Sequence, residues 1–348
     1  MIRRIAALAG VVALPAALSR LLAGRAAERL LDAPRTAPGE AELGPALDAL
    51  GGEVVRLRSR DGLRLTGRWL PAEAGDGGWS TDPHEAILLL HGWSGSVAPD
   101  VVEYGPFLRR TAGLLGLDFR GHGGSDDAPT TFGMHEVEDV AGGLSWLAER
   151  GIARVAIFGT SMGGVTALAA IVVLGDGSPT GADVDPTAPA HDIAPPRPRI
   201  VAVVADSVAP ELTVAVANRL RMPARRFVAA RIFEAASRRV GGDIRAIEPI
   251  RIVGLVEGVP LLLIHGSADR TVPLRDGRRL AAAAGPNAEH WVVPNADHSA
   301  GHATNPTDYE ARVTAFLRRA FVEARTGQPI IPPPVPDDAP AGGGQEGD

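Results

Sequence analysis

Gly159-Thr160-Ser161-Met162-Gly163 reads G-x-S-x-G, with the apolar run VAIFG before it and an apolar stretch from Val165 to Leu174 after it. A serine set between small residues at a sharp strand-to-helix turn is presented for nucleophilic attack, because bulkier neighbours would clash there. The helix that follows aims its N-terminal N–H groups and its dipole at developing negative charge. In a chain with 42 Gly the pattern alone is weak. The plain alternative is a Gly-rich turn whose serine merely caps the helix. The strand pattern before Ser161 and the helix pattern after it favour the nucleophile.

How that serine could be activated is narrowed by what is missing. The chain has no Cys, and all 35 of its basic residues are Arg. Thiol nucleophiles, thiolate metal sites, Ser–Lys dyads and Schiff-base lysines are therefore excluded, which leaves histidine as the base. With the chain order Ser, acid, His, the apolar strand PLLLIHG opens into Ser267-Ala268-Asp269, and HWVVP opens into Asn295-Ala296-Asp297-His298. His298 would accept the Ser161 proton, and Asp269 would orient the imidazole and stabilise its charged form. His302 is the reserve base, and Asp206, at the end of an earlier strand, is the reserve acid. The loop His91-Gly92-Trp93-Ser94-Gly95 follows the strand AILLL and is placed to offer the Trp93 N–H to an oxyanion, with the Met162 N–H as its partner. A plain tight turn with a structural His91 is the alternative for that loop. His298 and His302 form an H-x-x-x-H pair without a third ligand pattern, so neither metal nor cofactor is expected.

The segments LLLHGWSGS, LDFRGHGGSD, IFGTSMGG, LLLIHGSADRTVP and NADHSAGH, in that order, resemble the consecutive signatures of bacterial α/β-hydrolases. The group containing serine aminopeptidase-like and prolyl-oligopeptidase-like hydrolases is the most similar, and the resemblance runs from about Glu53 to Ala324. It implies Ser161 as nucleophile, Asp269 as acid, His298 as base, and Trp93 and Met162 as oxyanion donors. It also implies that Asp118, Arg120 and His122 fix a structural turn. Two departures stand out: an unusually long segment from Gly175 to Arg199, and NADHS in place of a glycine-containing approach to the histidine.

The elements that must position these residues alternate along the chain. Buried strands are predicted at Ala86–Leu90, Ala112–Phe119, Ile200–Asp206 and around VPLLLIHG and EHWVVP. Helices are predicted at Val137–Arg150, Val165–Leu174, Leu274–Ala284 and Pro306–Ala324. Such alternation predicts an α/β fold with a mainly parallel sheet, helices on both faces, and chemistry at the strands' carboxyl ends. Asp61-Gly62 between alternating runs predicts a hairpin ahead of it. Residues 208–258 look helical and Arg-rich, as a cap would be. The Arg residues there (Arg219, Arg221, Arg225, Arg226, Arg231) are read as a solvated or headgroup-facing surface, or else as a selector for an anionic substrate. Trp93 suggests an apolar acyl pocket.

The ends differ from this domain. Arg3 and Arg4 precede an apolar run from Ile5 to Leu18, a pattern similar to a signal or signal anchor, although a span needs about 20 apolar residues. Leu18, Leu22, Ala26 and Leu30 continue an i, i+4 stripe that would suit an amphipathic helix on a surface or a helix buried in the domain. The expected organisation is an N-terminal membrane anchor or signal-like segment (1–32), a linker (33–52) and a hydrolase domain (53–326). That domain carries a loop insertion (175–199) and the cap (208–258), and a disordered Pro/Gly-rich acidic tail (327–348) follows. Arginines flank the apolar run on both sides, so membrane association is expected without an orientation. A net charge of −6 argues against a nucleic-acid partner. The substrate expected is a small ester, acyl compound or peptide. Ester hydrolysis through an acyl-enzyme leads, a peptidase or amidase is second, and a non-catalytic binding protein with the same fold is third.

Overall fold

Eight strands in one sheet form the centre of the computed structural model, which describes residues 19–33, 40–73, 79, 81–93, 95–177, 197–220, 222 and 224–328. A helix over residues 19–31 (α1) and α2 (Glu40–Leu50) come first. The hairpin β1 (Glu53–Arg58) and β2 (Arg64–Leu70) follows, then β3 (Glu85–Leu90), α3 (Ala98–Leu108), β4 (Gly113–Leu117), α4 (Glu136–Ala148), β5 (Arg154–Thr160), α5 (Met162–Leu174) and β6 (Arg199–Asp206). The chain then continues through α6 (Leu212–Arg219), α7 (Arg225–Val240), α8 (Pro249–Ile252), β7 (Leu261–Gly266), α9 (Leu274–Ala284), β8 (Ala288–Val293), α10 (Gly301–Thr304) and α11 (Pro306–Thr326).

The strand order is β1-β2-β4-β3-β5-β6-β7-β8, and only β2 runs against its neighbours in the main sheet. β3, β4 and β5 are apolar without alternation because both faces are covered. Leu88 and Leu90 join one core, beneath α4, α5 and the cap, while Ile87 and Leu89 join the other, beneath α2, α3 and α11. Each such leucine contributes about 1.5–3 kcal/mol by leaving water. The order of the chain reverses about β3, since β4 lies on one side of it and β5 on the other. A crevice opens at such a reversal, between the loops that leave β3 and β5. Those are the His91–Gly95 loop and the Ser161 turn.

Several expectations on local structure change. Part of the supposed linker, Glu40–Leu50, is α2: Leu43, Leu47 and Leu50 form a helical stripe packed on the second core, and this packing outweighs Pro45 inside the helix. α3 was not foreseen, because Pro99 and Pro106 obscure its pattern. The cap is broken into short helices and a 3₁₀ turn at Ile244–Ile247, with Gly241 in a left-handed conformation ending α7. β4 is shorter at both ends than predicted. Residues 1–18, most of the 175–199 insertion and nearly all of the tail lie outside the described residues. Among the described residues, no helix is long and apolar enough to cross a membrane.

Candidate active site

Ser161 sits at φ 49° and ψ −109°, a strained geometry for a residue with a side chain. Tight packing imposes it. A Cβ on Gly163 would strike the Leu90 carbonyl, and one on Gly159 would strike the Gly163 backbone. The turn is also pinned to the sheet, because the Ser161 N–H donates to the Asp206 carbonyl at 2.8 Å. Met162 begins α5, so its N–H has no partner within the helix. Gly92 packs over the serine, its Cβ position lying 3.6 Å from the Ser161 Cβ.

Ser161, Asp269 and His298 come together. The His298 Nε2 is 3.0 Å from the Ser161 Oγ, and the Nδ1 is 2.8 Å from the Asp269 Oδ2. Asp269 is buried, and its other oxygen, Oδ1, accepts the N–H groups of Thr271 at 2.8 Å and Val272 at 2.7 Å. One oxygen is thus fixed by the backbone while the other faces the imidazole. With the carboxylate on Nδ1, the proton sits there and Nε2 is left as an acceptor towards the serine. The cap grips this loop as well, through Asn218 Nδ2 donating to the Thr271 carbonyl at 3.0 Å.

The reserve residues lie elsewhere. His302 is held between Glu103 at 3.2 Å and Glu310 at 3.3 Å, and these carboxylates, Glu103 foremost, raise its pKa against a partial burial. Asp206 accepts from the Tyr309 hydroxyl at 2.7 Å and the Ser207 hydroxyl at 2.8 Å and does not bond His298. The Ser207 Oγ in turn accepts the Ser299 N–H at 2.9 Å. Asp206 therefore acts on the neighbouring backbone of the histidine loop, where Ser299 holds φ 53°. Burial pushes the Asp206 carboxyl up, and the bonds from Tyr309 and Ser207 work against that.

His91 is structural in this arrangement. Its Nε2 accepts the Phe119 N–H at 3.1 Å, so the Nδ1 donates to the Gly92 carbonyl at 2.7 Å. Burial, with His122 beside it, pushes its pKa down to about 3 and keeps it neutral. The Asp118–Asp126 loop is equally fixed. Asp118 accepts from Val97 N at 2.7 Å and Gly124 N at 3.0 Å, and Arg120 grips both oxygens of Asp139.

A cavity of about 780 Å³ opens above Ser161, lined mainly by apolar side chains. Two contributions to it were missed from sequence. Asp100, in the first turn of α3, lines it and accepts from the Thr160 Oγ1 at 3.2 Å. Asp100 is only partly covered, yet the surrounding protein pushes its carboxyl up to about 7. The second contribution is α1, whose Leu22, Ala26 and Leu30 form part of the wall. The stripe predicted from those residues was the available signal, but not what it would cover. The Trp93 Nε1 donates to the Leu30 carbonyl at 3.3 Å, joining α1 to the loop beside the serine.

With this geometry in view, comparisons place the chain. Residues 87–313 match the alpha/beta hydrolase family. The uncharacterized protein YfhR of Escherichia coli O157:H7 is 25% identical over 290 residues, covering 82% of this chain and 86% of YfhR. YqkD of Bacillus subtilis, also uncharacterized, is 26% identical over 250 residues, covering 69% and 74%. The Pyrococcus furiosus esterase Pf2001 superposes with a TM-score of 0.59 at 21% identity, over 82% of this chain and 98% of the esterase. A membrane phospholipase A described as a bacterial virulence factor superposes with a TM-score of 0.53 at 16% identity, over 92% and 99%. This chain belongs to the alpha/beta hydrolase family and is a hydrolase.

Proposed function

We propose that the protein cleaves carboxylic esters through an acyl-enzyme on Ser161. The supporting observation is the pair of contacts that links Ser161 Oγ to His298 Nε2 at 3.0 Å and His298 Nδ1 to Asp269 at 2.8 Å, at the floor of a largely apolar cavity. His298 takes the Ser161 proton as the Oγ attacks the acyl carbon, and the N–H groups of Trp93 and Met162 receive the oxyanion. The imidazolium then protonates the departing alcohol. Water, deprotonated by the same nitrogen, attacks the acyl-enzyme and returns Ser161 with the carboxylic acid. The apolar lining suits a hydrocarbon chain better than a peptide, whose amides would lose hydration there without gaining partners.

A fluorophosphonate probe should label the wild type and leave Ser161→Ala unlabelled. Label that persists on Ser161→Ala overturns the nucleophile, and no label on the wild type favours a non-catalytic binding protein. Nitrophenyl esters of rising chain length should be turned over far faster than aminoacyl anilides; the reverse order would make this a peptidase.

The protein is further proposed to associate with membranes through its first residues, on the strength of the Ile5–Leu18 run and its flanking arginines. Full-length protein should sediment with membranes, and a form lacking residues 1–18 should not. Recovery of both in the soluble fraction ends that reading.

A further inference from the structure

The cavity is apolar along its walls and cationic at three places. Arg25 and Arg29 line it from α1, and Arg219 lines it from the end of α6. Arg25 and Arg29 are four residues apart and so share one face of their helix, alternating with Leu22, Ala26 and Leu30 on the stripe that lines the cavity. The acid of the same helix, Glu28, is turned away and pairs with Arg239 of α7. α1 thus sorts its charges, presenting cations to the cavity and its carboxylate to the cap.

Among the described residues none of these three arginines forms an ion pair. Other arginines of the cap are placed differently. Arg231 and Arg238 both pair with Glu234, and Arg225 and Arg226 do not line the cavity. Arg219 keeps part of its side chain open to solvent; surrounding protein lowers its pKa, with Asp269 opposing, and its guanidinium has no carboxylate partner. Guanidiniums without carboxylate partners at the mouth of an apolar cavity are ready receptors for a carboxylate or phosphate. The protein as a whole carries −6, so the positive mouth is a local arrangement and not an overall bias.

We infer that the preferred substrate is an anionic amphiphile: an ester whose chain fills the apolar cavity while its carboxylate or phosphate is held by Arg25, Arg29 and Arg219. This rests on the ester-hydrolase reading above, and it adds the charge of the substrate.

The test compares hexanoylglycerol with hexanoylglycerol-3-phosphate, both presented as monomers to the full-length protein. The wild type should favour the phosphate ester by about tenfold or more in kcat/KM, as charge-assisted bonds to a desolvated anion imply. Arg25→Gln, Arg29→Gln and Arg219→Gln should each reduce that ratio, mainly through KM, and the triple variant should bring it near one. Arg238→Gln removes the same charge outside the cavity and should leave the ratio as it was. A wild-type ratio near one, or a ratio that survives in the triple variant, overturns the inference. A parallel arm offers oleoylglycerol in phosphatidylcholine vesicles with and without phosphatidylglycerol. If the arginines matter only when the vesicle is anionic, they hold a membrane surface and the subsite is refuted. Fluorophosphonate labelling of the same samples separates the two levels. Labelled Ser161 without charge preference removes only this inference, whereas unlabelled Ser161 removes the reading beneath it.

Discussion

His298→Ala lowers ester kcat by about 10⁵- to 10⁶-fold while KM changes little, because a Ser–His–Asp unit loses nearly all of its chemistry when its base is removed. Ser161→Ala gives a loss of the same order, and the double variant is no worse than either single one, since the two residues act as one device. The contrast is with His302→Ala. That ring lies between Glu103 and Glu310, packed against Phe107 and Tyr309, so its removal disturbs a buried corner and not the serine. Its kcat should fall less than about tenfold, with the larger effect on thermal stability, as befits a cavity-forming change. Pre-steady-state and steady-state assays on one ester decide the matter. Equal losses in His298→Ala and His302→Ala would contradict the assignment.

Arg120→Gln is the largest expected loss of stability. The Arg120 side chain is 4% exposed and Asp139 is fully buried, with Asp61 completing the group at the surface. Burial opposes the Arg120 charge, but its bonds to Asp139 and Asp61 outweigh this and raise its pKa. Pairing alone would lower the Asp139 carboxyl; burial prevails and pushes it up to about 7. Removing the guanidinium strands that carboxyl, a change that typically costs about 3–5 kcal/mol. For a protein of this size the midpoint of thermal unfolding should fall by roughly 5 °C. The pH dependence has a definite sign. A carboxyl whose folded pKa lies above its unfolded value binds its proton more tightly when folded, so stability declines as pH rises from about 4 towards 7. Without Arg120 that decline extends to higher pH. The loss should therefore be greater at pH 8.5 than at pH 5.5, where a neutral Asp139 needs no counter-charge. Circular dichroism melts at both values provide the measurement, and a shift below 2 °C at each would show that the pair is dispensable.

What the sequence revealed depended on whether a signal was local. Gly159 and Gly163 flank Ser161 within one turn, and steric need alone makes that pattern readable. Asp269 and His298 each stand just past an apolar run, so knowing that strands run parallel is enough to bring their loops to one edge. His302 was separable from His298 on the same ground, being one helical turn farther from the strand. Asp100 was not readable, because its meaning lies in Thr160, 60 residues away, and in burial that no spacing encodes. Nor was α2, where Pro45 and Gly44 resemble a linker until Leu43, Leu47 and Leu50 find the second core. The cap arginines looked alike in sequence; only the fold separates Arg219, which lines the cavity, from Arg231 and Arg238, which answer Glu234.

The tether from the Trp93 indole to the Leu30 carbonyl has a consequence for how this protein is compared with others. The segment that establishes its kinship begins at residue 87 and ends at 313, while Leu22, Ala26 and Leu30 wall the cavity from outside it. One wall of the cavity thus lies outside the matched stretch, while Trp93, Val165, Leu212 and Arg219 line it from within. Two relatives could share every residue of the Ser161 turn and still differ in what they admit. A fragment trimmed to the matched segment would have the reactive serine with one side of its chamber removed.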